Sequence, residues 1–310
     1  KADTQFPVSH PRNRDYHDNF VRWAEIAPNL AVWDYWILYT KPYHPPYLNA
    51  RHVPEDMQFY RDHHVKTLFV ECEAAGQTSF FPFKAWFGLK MMQDPDQPYE
   101  VLAERFCKAM YGPAATPMLK YINYLQDREK AADVALGRTT PNALPYLDRD
   151  FLATVNGWLD EAERLAAADP VALKNVGRER VPVDAALLHL GRRYKENLPA
   201  GGNPPCDLPA LFTRYAKNSL VQAEHFYNSD VYARNDAKLS DAKVRIETDK
   251  LRFTGKSVQL PAEFRGKEVV DVNWAAFVGG VKTVPDPDGV GGKAAILPDN
   301  ETREDYHTRP

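Results

Sequence analysis

The stretch Leu30-Ala31-Val32-Trp33-Asp34-Tyr35-Trp36-Ile37-Leu38-Tyr39 decides how the chain is read. It is a run of apolar and aromatic residues with one acid, Asp34, inside it. Such a run predicts a strand buried on both faces, as in a parallel sheet. An acid in that setting costs free energy unless it is paired, hydrogen-bonded or placed at a wet strand end. The stretch Thr67-Leu68-Phe69-Val70-Glu71-Cys72-Glu73 predicts a second strand, which also ends in acids. Two strands that deliver carboxylates near their C-terminal ends, among rings able to stack on sugars, point to glycoside chemistry.

Working outward, helical periodicity predicts a helix over residues 14–26, with Phe20, Trp23, Ala24 and Ala27 on one face. A second helix is expected over 53–64, with Pro54 in its first turn, Glu55 and Asp56 at its positive end and His63 and His64 at its negative end. A third is expected over 83–92. This is βα alternation, the signature of a parallel sheet. Two strands fall short of the eight that a barrel needs. Residues 1–96 are therefore expected to be the C-terminal part, the last strands, of a partial (β/α)8 barrel. A companion chain or a missing segment would complete it. From 97 to 240 the periodicity is helical, with stretches at 99–110, 114–132, 152–168, 171–194 and 208–227, and a helical domain is expected. Residues 241–310 carry short β-like pieces such as Val244-Arg245-Ile246 and Ala294-Ala295-Ile296-Leu297, punctuated by Gly and Pro. They predict the start of a C-terminal β-sandwich, too short to be complete.

The chain has 310 residues and a formal net charge of −3. That balance argues against nucleic acid or an anionic membrane as partner. No apolar run is long enough to span a bilayer. The N-terminal Lys1-Ala2-Asp3-Thr4 carries no leader pattern, and a trimmed extracellular or periplasmic protein would look the same. Cys72, Cys107 and Cys206 have no CxxC spacing, so neither a disulfide framework nor a zinc site is indicated. No HExxH, Gly-rich phosphate loop or GxSxG elbow occurs, and no cofactor or metal is expected. Aromatics make up 12% of the chain and prolines number 25, a profile that suits a loop-rich carbohydrate-active protein.

Asp34 and Glu71 are the candidate catalytic carboxylates, because glycosidases set one carboxylic acid against a second carboxylate. The plain alternative for Asp34 is a loop cap or an arginine partner. Glu73 shares the parity of Glu71 and is a candidate substrate binder, with a structural ion pair as its alternative. Trp33, Tyr35, Tyr39 and Tyr43 are candidates for sugar stacking, against ordinary core packing of strand aromatics. His44 lies between Tyr43 and Pro45 in the loop after the strand and is a candidate substrate contact. His63 and His64 read as a helix end.

His10-Pro11, Asn13, Trp23, Val32-Trp33-Asp34-Tyr35, the Tyr/Pro loop, Glu71, Phe106 and Tyr111-Gly112-Pro113-Ala114-Ala115 resemble the domain-of-unknown-function family 4838 over roughly residues 6 to 230. The resemblance implies a bacterial protein of polysaccharide breakdown whose barrel is similar to those of α-glucuronidases and β-hexosaminidases. It implies the C-terminal portion of such a protein. Asp34 and Glu71 would then take the water-activating side of an inverting mechanism. The stretch from Asp286-Pro287-Asp288 to Leu297-Pro298 resembles the β-sandwich that follows in such proteins.

The expectation is thus a glycoside hydrolase, or the C-terminal part of one, secreted and acting on a complex polysaccharide, acidic ones included. The other reading is a non-catalytic glycan-binding or scaffold protein with a degenerate barrel.

Overall fold

A computed structural model describes residues 5–38, 43–72, 78–132, 144–196 and 207–227, parts of 239–250, and two strands further on. The chain divides into two compact units, Lys1–Val258 and Gln259–Pro310.

The first unit opens with a 3-10 turn, Pro11–Asn13, which leads into helix α1, Arg14–Ile26. Strand β1 is Leu30–Tyr35, helix α2 Val53–Asp62 and strand β2 Val65–Glu71. The two strands pair in parallel, with Trp33 beside Phe69, Asp34 beside Val70 and Tyr35 beside Glu71. Helix α2 closes on His63, whose N–H reaches the Phe59 carbonyl at 3.1 Å, and His64 reverses the chain with φ at 65°.

The helices that follow include α3 Phe81–Gln93, α4 Tyr99–Tyr111, α5 Ala115–Ala132, α6 Arg149–Leu165, α7 Pro170–Glu196 and α8 Leu208–Tyr227. Their boundaries are chemically marked. Gly112 takes φ +48° at the end of α4, where a Cβ would be strained. The Asp148 carboxylate accepts the Phe151 N–H at 2.8 Å and caps α6. Asp169 does the same for Ala172 at 3.0 Å, just before Pro170 opens α7. One apolar core runs from Val8 to Ala186 across residue 96, so the βαβ part and the helices after it share their packing. Its centre is aromatic: Phe83 meets Phe87 at 5.2 Å and Phe106 at 5.1 Å, and Phe80 meets Tyr121 at 4.9 Å.

The expected partial (β/α)8 barrel is corrected. The described residues are mostly helical, and β1 and β2 form an open two-stranded sheet. After β2 the described residues of the first unit form helices and no further strand. Helix α3 carries apolar side chains nearly all round and packs into the helices that follow. The expectation of strands buried on both faces fails for the same reason, since β1 alternates buried and exposed from Val32 to Tyr35. It also ends at Tyr35 rather than Tyr39. Trp36, Ile37 and Leu38 continue as buried, non-strand chain. The apolar stripe expected on α1 is only partly used. Phe20 packs on Phe59 at 5.3 Å, whereas Trp23 is 61% exposed.

The expected β-sandwich is corrected as well. In the second unit the described residues form one antiparallel pair, β3 Lys282–Pro285 with β4 Lys293–Ile296. Val244 and Ile246, read as β-like, are helical and lie in the first unit. The pieces near 257–260 and 269–272 lie outside the described residues.

Candidate functional site

Alternation along β1 and β2 sorts the candidate residues onto two faces. Val32 and Asp34 point to the helix side, and Trp33 and Tyr35 point away. The parallel register places Phe69 and Glu71 on the same open face as Trp33 and Tyr35. Asp34 and Glu71 therefore leave opposite faces of the sheet. The structure does not bring the two candidate catalytic carboxylates together in one cleft.

The open face is aromatic. Trp33 is 61% exposed, Phe69 53% and Tyr35 38%. Trp33 and Phe69 meet edge to face at 4.8 Å. The indole N–H of Trp33 donates to Glu71 Oε1 at 2.8 Å, which fixes the carboxylate beside the rings.

Asp34 is 2% exposed. Its Oδ1 accepts the Tyr35 N–H at 2.9 Å and its Oδ2 accepts the Trp36 indole N–H at 3.3 Å. These bonds offset the cost of burying the acid. Burial and then the nearby Asp34 charge push the Tyr60 hydroxyl far above its ordinary range. Tyr16 moves the same way, mainly through burial. Asp34 thus holds two N–H groups at the end of β1.

That geometry sits inside a recognisable segment. Residues 1–124 match the family model described as Domain of unknown function (DUF4838). The DUF4838 match takes in the Val32–Tyr35 and Tyr111–Ala115 motifs and stops short of residue 230, to which the motifs extended it. It names a family without an assigned activity, so neither hydrolysis nor a C-terminal position follows from it. No curated protein and no solved structure matches the chain significantly.

All the sequence candidates fall in the DUF4838 stretch. Tyr39 and Glu73 lie outside the described residues. Tyr43 is buried and stacks on His189 of α7 at 4.4 Å, so it acts as core rather than as an open stacking surface. His44 lines a small pocket with Thr78, Ser79 and Lys84. Lys84 is 2% exposed, and its Nζ donates to the Trp36 carbonyl and Thr78 Oγ1, both at 3.4 Å.

Sequence reasoning missed several buried charges, among them Lys84, Glu129 and Glu179. Lys84 is a lone cation in the apolar run Phe80–Leu89, and that was a usable signal. Glu129 continues the buried stripe of Met118, Ile122 and Leu125 at spacings of four, three and four, although the charged run around it reads as a solvated face. Glu179 has no such signal within Arg178-Glu179-Arg180. Its carboxylate accepts the Phe80 N–H at 2.6 Å and the Tyr111 hydroxyl at 3.3 Å. Phe80 is left-handed, with φ at 53°, a conformation that costs energy in a non-glycine residue. Burial pushes the Glu179 carboxyl up to about 7, although Phe80, Arg178, Tyr111 and Lys84 all oppose that rise. Among the described residues no cluster of His, Cys, Asp and Glu could hold a metal ion. No described helix is long and apolar enough to cross a membrane.

Proposed function

We propose that the chain binds carbohydrate without cleaving it, on the open face of β1 and β2. The observation that carries this reading is the exposed group of Trp33, Tyr35 and Phe69 with the Glu71 carboxylate fixed among them. Solvent-exposed aromatic groups of this kind mark interaction surfaces. Rings offer apolar faces for the C–H side of a pyranose, and a carboxylate accepts from its hydroxyls. Hydrolysis by Asp34 and Glu71 is the weaker reading. It needs two carboxyl groups facing one bond across a short gap, and here they face apart with Asp34 buried.

Electrophoresis through gels containing neutral or uronate-rich polysaccharides tests the proposal. Retardation of the full chain by at least one polymer is expected, with loss of about tenfold or more in affinity for Trp33→Ala, within the range a well-packed aromatic contact supplies. Equal retardation of Trp33→Ala, Phe69→Ala and the parent would refute the sheet face as the site. Release of reducing sugar that is lost in Asp34→Asn would refute the non-catalytic reading.

A further inference from the structure

The first unit also holds a cleft whose lining includes none of the open-face residues Trp33, Tyr35, Phe69 and Glu71. The segment around Phe6, the turn at 48–55 and the C-terminal end of α5 enclose this cleft of about 370 Å³. That volume is at the small end for ligand sites and suits a single ring-sized molecule. Phe6 is buried beneath the His10 ring, which stacks on it at 4.1 Å and 12°. His10 Nδ1 accepts the Arg12 N–H at 3.3 Å, so the neutral ring carries its proton on Nε2.

Glu129 lines the same cleft and is 2% exposed. Its Oε1 accepts the Leu48 N–H at 2.9 Å, and the carboxyl has no other hydrogen-bond partner among the described residues. Burial keeps this group protonated well above the ordinary carboxylate range, against the opposing pull of the Leu48 N–H and the Lys84 charge. A neutral carboxyl both donates and accepts. The lining carries no net excess of fixed charge: Arg51 is paired with Asp127, and Lys130 and Glu55 add one charge of each sign. A cleft that joins a strongly perturbed acid to convergent polar groups is a ligand-site candidate on physical grounds. A balanced rim, a flat ring wall and a donor–acceptor carboxyl together match a neutral polyhydroxylated ring.

We propose that this cleft binds one neutral pyranose-sized polyol, with its hydroxyls on Glu129 and its apolar side on the outer face of His10. The site does not depend on the sheet-face reading, because it would take monosaccharides, and Trp33 is not among its lining residues.

Calorimetric titration of the full chain with methyl glucoside, methyl galactoside and methyl mannoside tests it. At least one should saturate with a Kd of about 1 mM or tighter. Glu129→Gln keeps an oxygen for the Leu48 N–H and should weaken that binding about tenfold. His10→Ala removes the half-buried ring wall and should weaken it as well, while Trp33→Ala should leave it unchanged. No saturation with any of the three by about 50 mM would overturn the proposal. So would binding that survives both Glu129→Gln and His10→Ala, or binding that Trp33→Ala alone removes. Polysaccharide retardation reads the sheet face separately, so the two proposals fail independently.

Discussion

Glu179 makes the folded protein sensitive to pH in a calculable way. In the unfolded chain its carboxyl titrates near the ordinary 4.5, and in the folded protein near 7. Between those values the folded state holds a proton that the unfolded state has released. Stability therefore falls as pH rises through that window, by about 1.4 kcal/mol per pH unit. The difference, 7 minus 4.5, corresponds to a loss of about 3 kcal/mol that is complete above about pH 7. Glu179 is fully buried, so solvent does little to screen this effect.

Glu179→Gln isolates the effect. The glutamine oxygen can still accept the Phe80 N–H, and its amide can donate to the Tyr111 oxygen, so both contacts persist. Urea unfolding followed by helical circular dichroism at pH 5 and pH 8 gives the two stabilities for each protein. Relative to the parent, the variant should gain about 2 to 3 kcal/mol on going from pH 5 to pH 8. Subtracting the parent removes the titration of every other group. A difference that is the same at both pH values would refute the buried-carboxyl argument. A difference of opposite sign would mean that the ionised Glu179 stabilises the left-handed Phe80 by more than burial costs it.

Gly88→Ala should destabilise by about 1 to 3 kcal/mol. A Cβ there would sit 2.3 Å from the Trp36 ring, which would have to move, and tryptophan fluorescence should shift with the melting temperature. Cys107 is buried, and burial pushes its thiol up to about 12, so iodoacetamide at pH 8 should leave it unlabelled until urea unfolds the chain, as read by peptide mass spectrometry. Arg214→Ala strands the buried Asp184 carboxylate that it holds at 2.6 Å, and should cost about 3 kcal/mol in urea unfolding.

Helix positions were legible because local patterns decide them. The span of α1 follows from its periodicity, and α8 from its stripe and the Pro-rich stretch before it. The sheet was misjudged because a run of aromatics looks the same whether one or both faces are covered. What covers a face is set by distant packing, here by helices on the Asp34 side alone. The buried charges were hidden for a related reason. Glu129 and Glu179 sit in charged runs, and only the fold shows that Leu48 and Phe80 bring N–H groups to them.

The parity of β1 gives the sharpest separation between structure and function in this chain. Asp34 and Trp33 are neighbours in sequence, yet they serve opposite faces. Asp34→Ala removes the acceptor of two N–H groups, one of them on a tryptophan that is itself 3% exposed. Leaving buried donors unsatisfied costs about 1 to 3 kcal/mol each. The variant should therefore lose a few kcal/mol in urea unfolding, and still bind polysaccharide with parental affinity below its transition. Glu71→Ala reverses the pattern. Glu71 carries one bond on an open face, so its loss should leave stability within about 0.5 kcal/mol of the parent while binding weakens. If Asp34→Ala folds stably and loses binding while Glu71→Ala retains it, ligand recognition runs through the helix side, and the open aromatic face must be explained by something other than sugar.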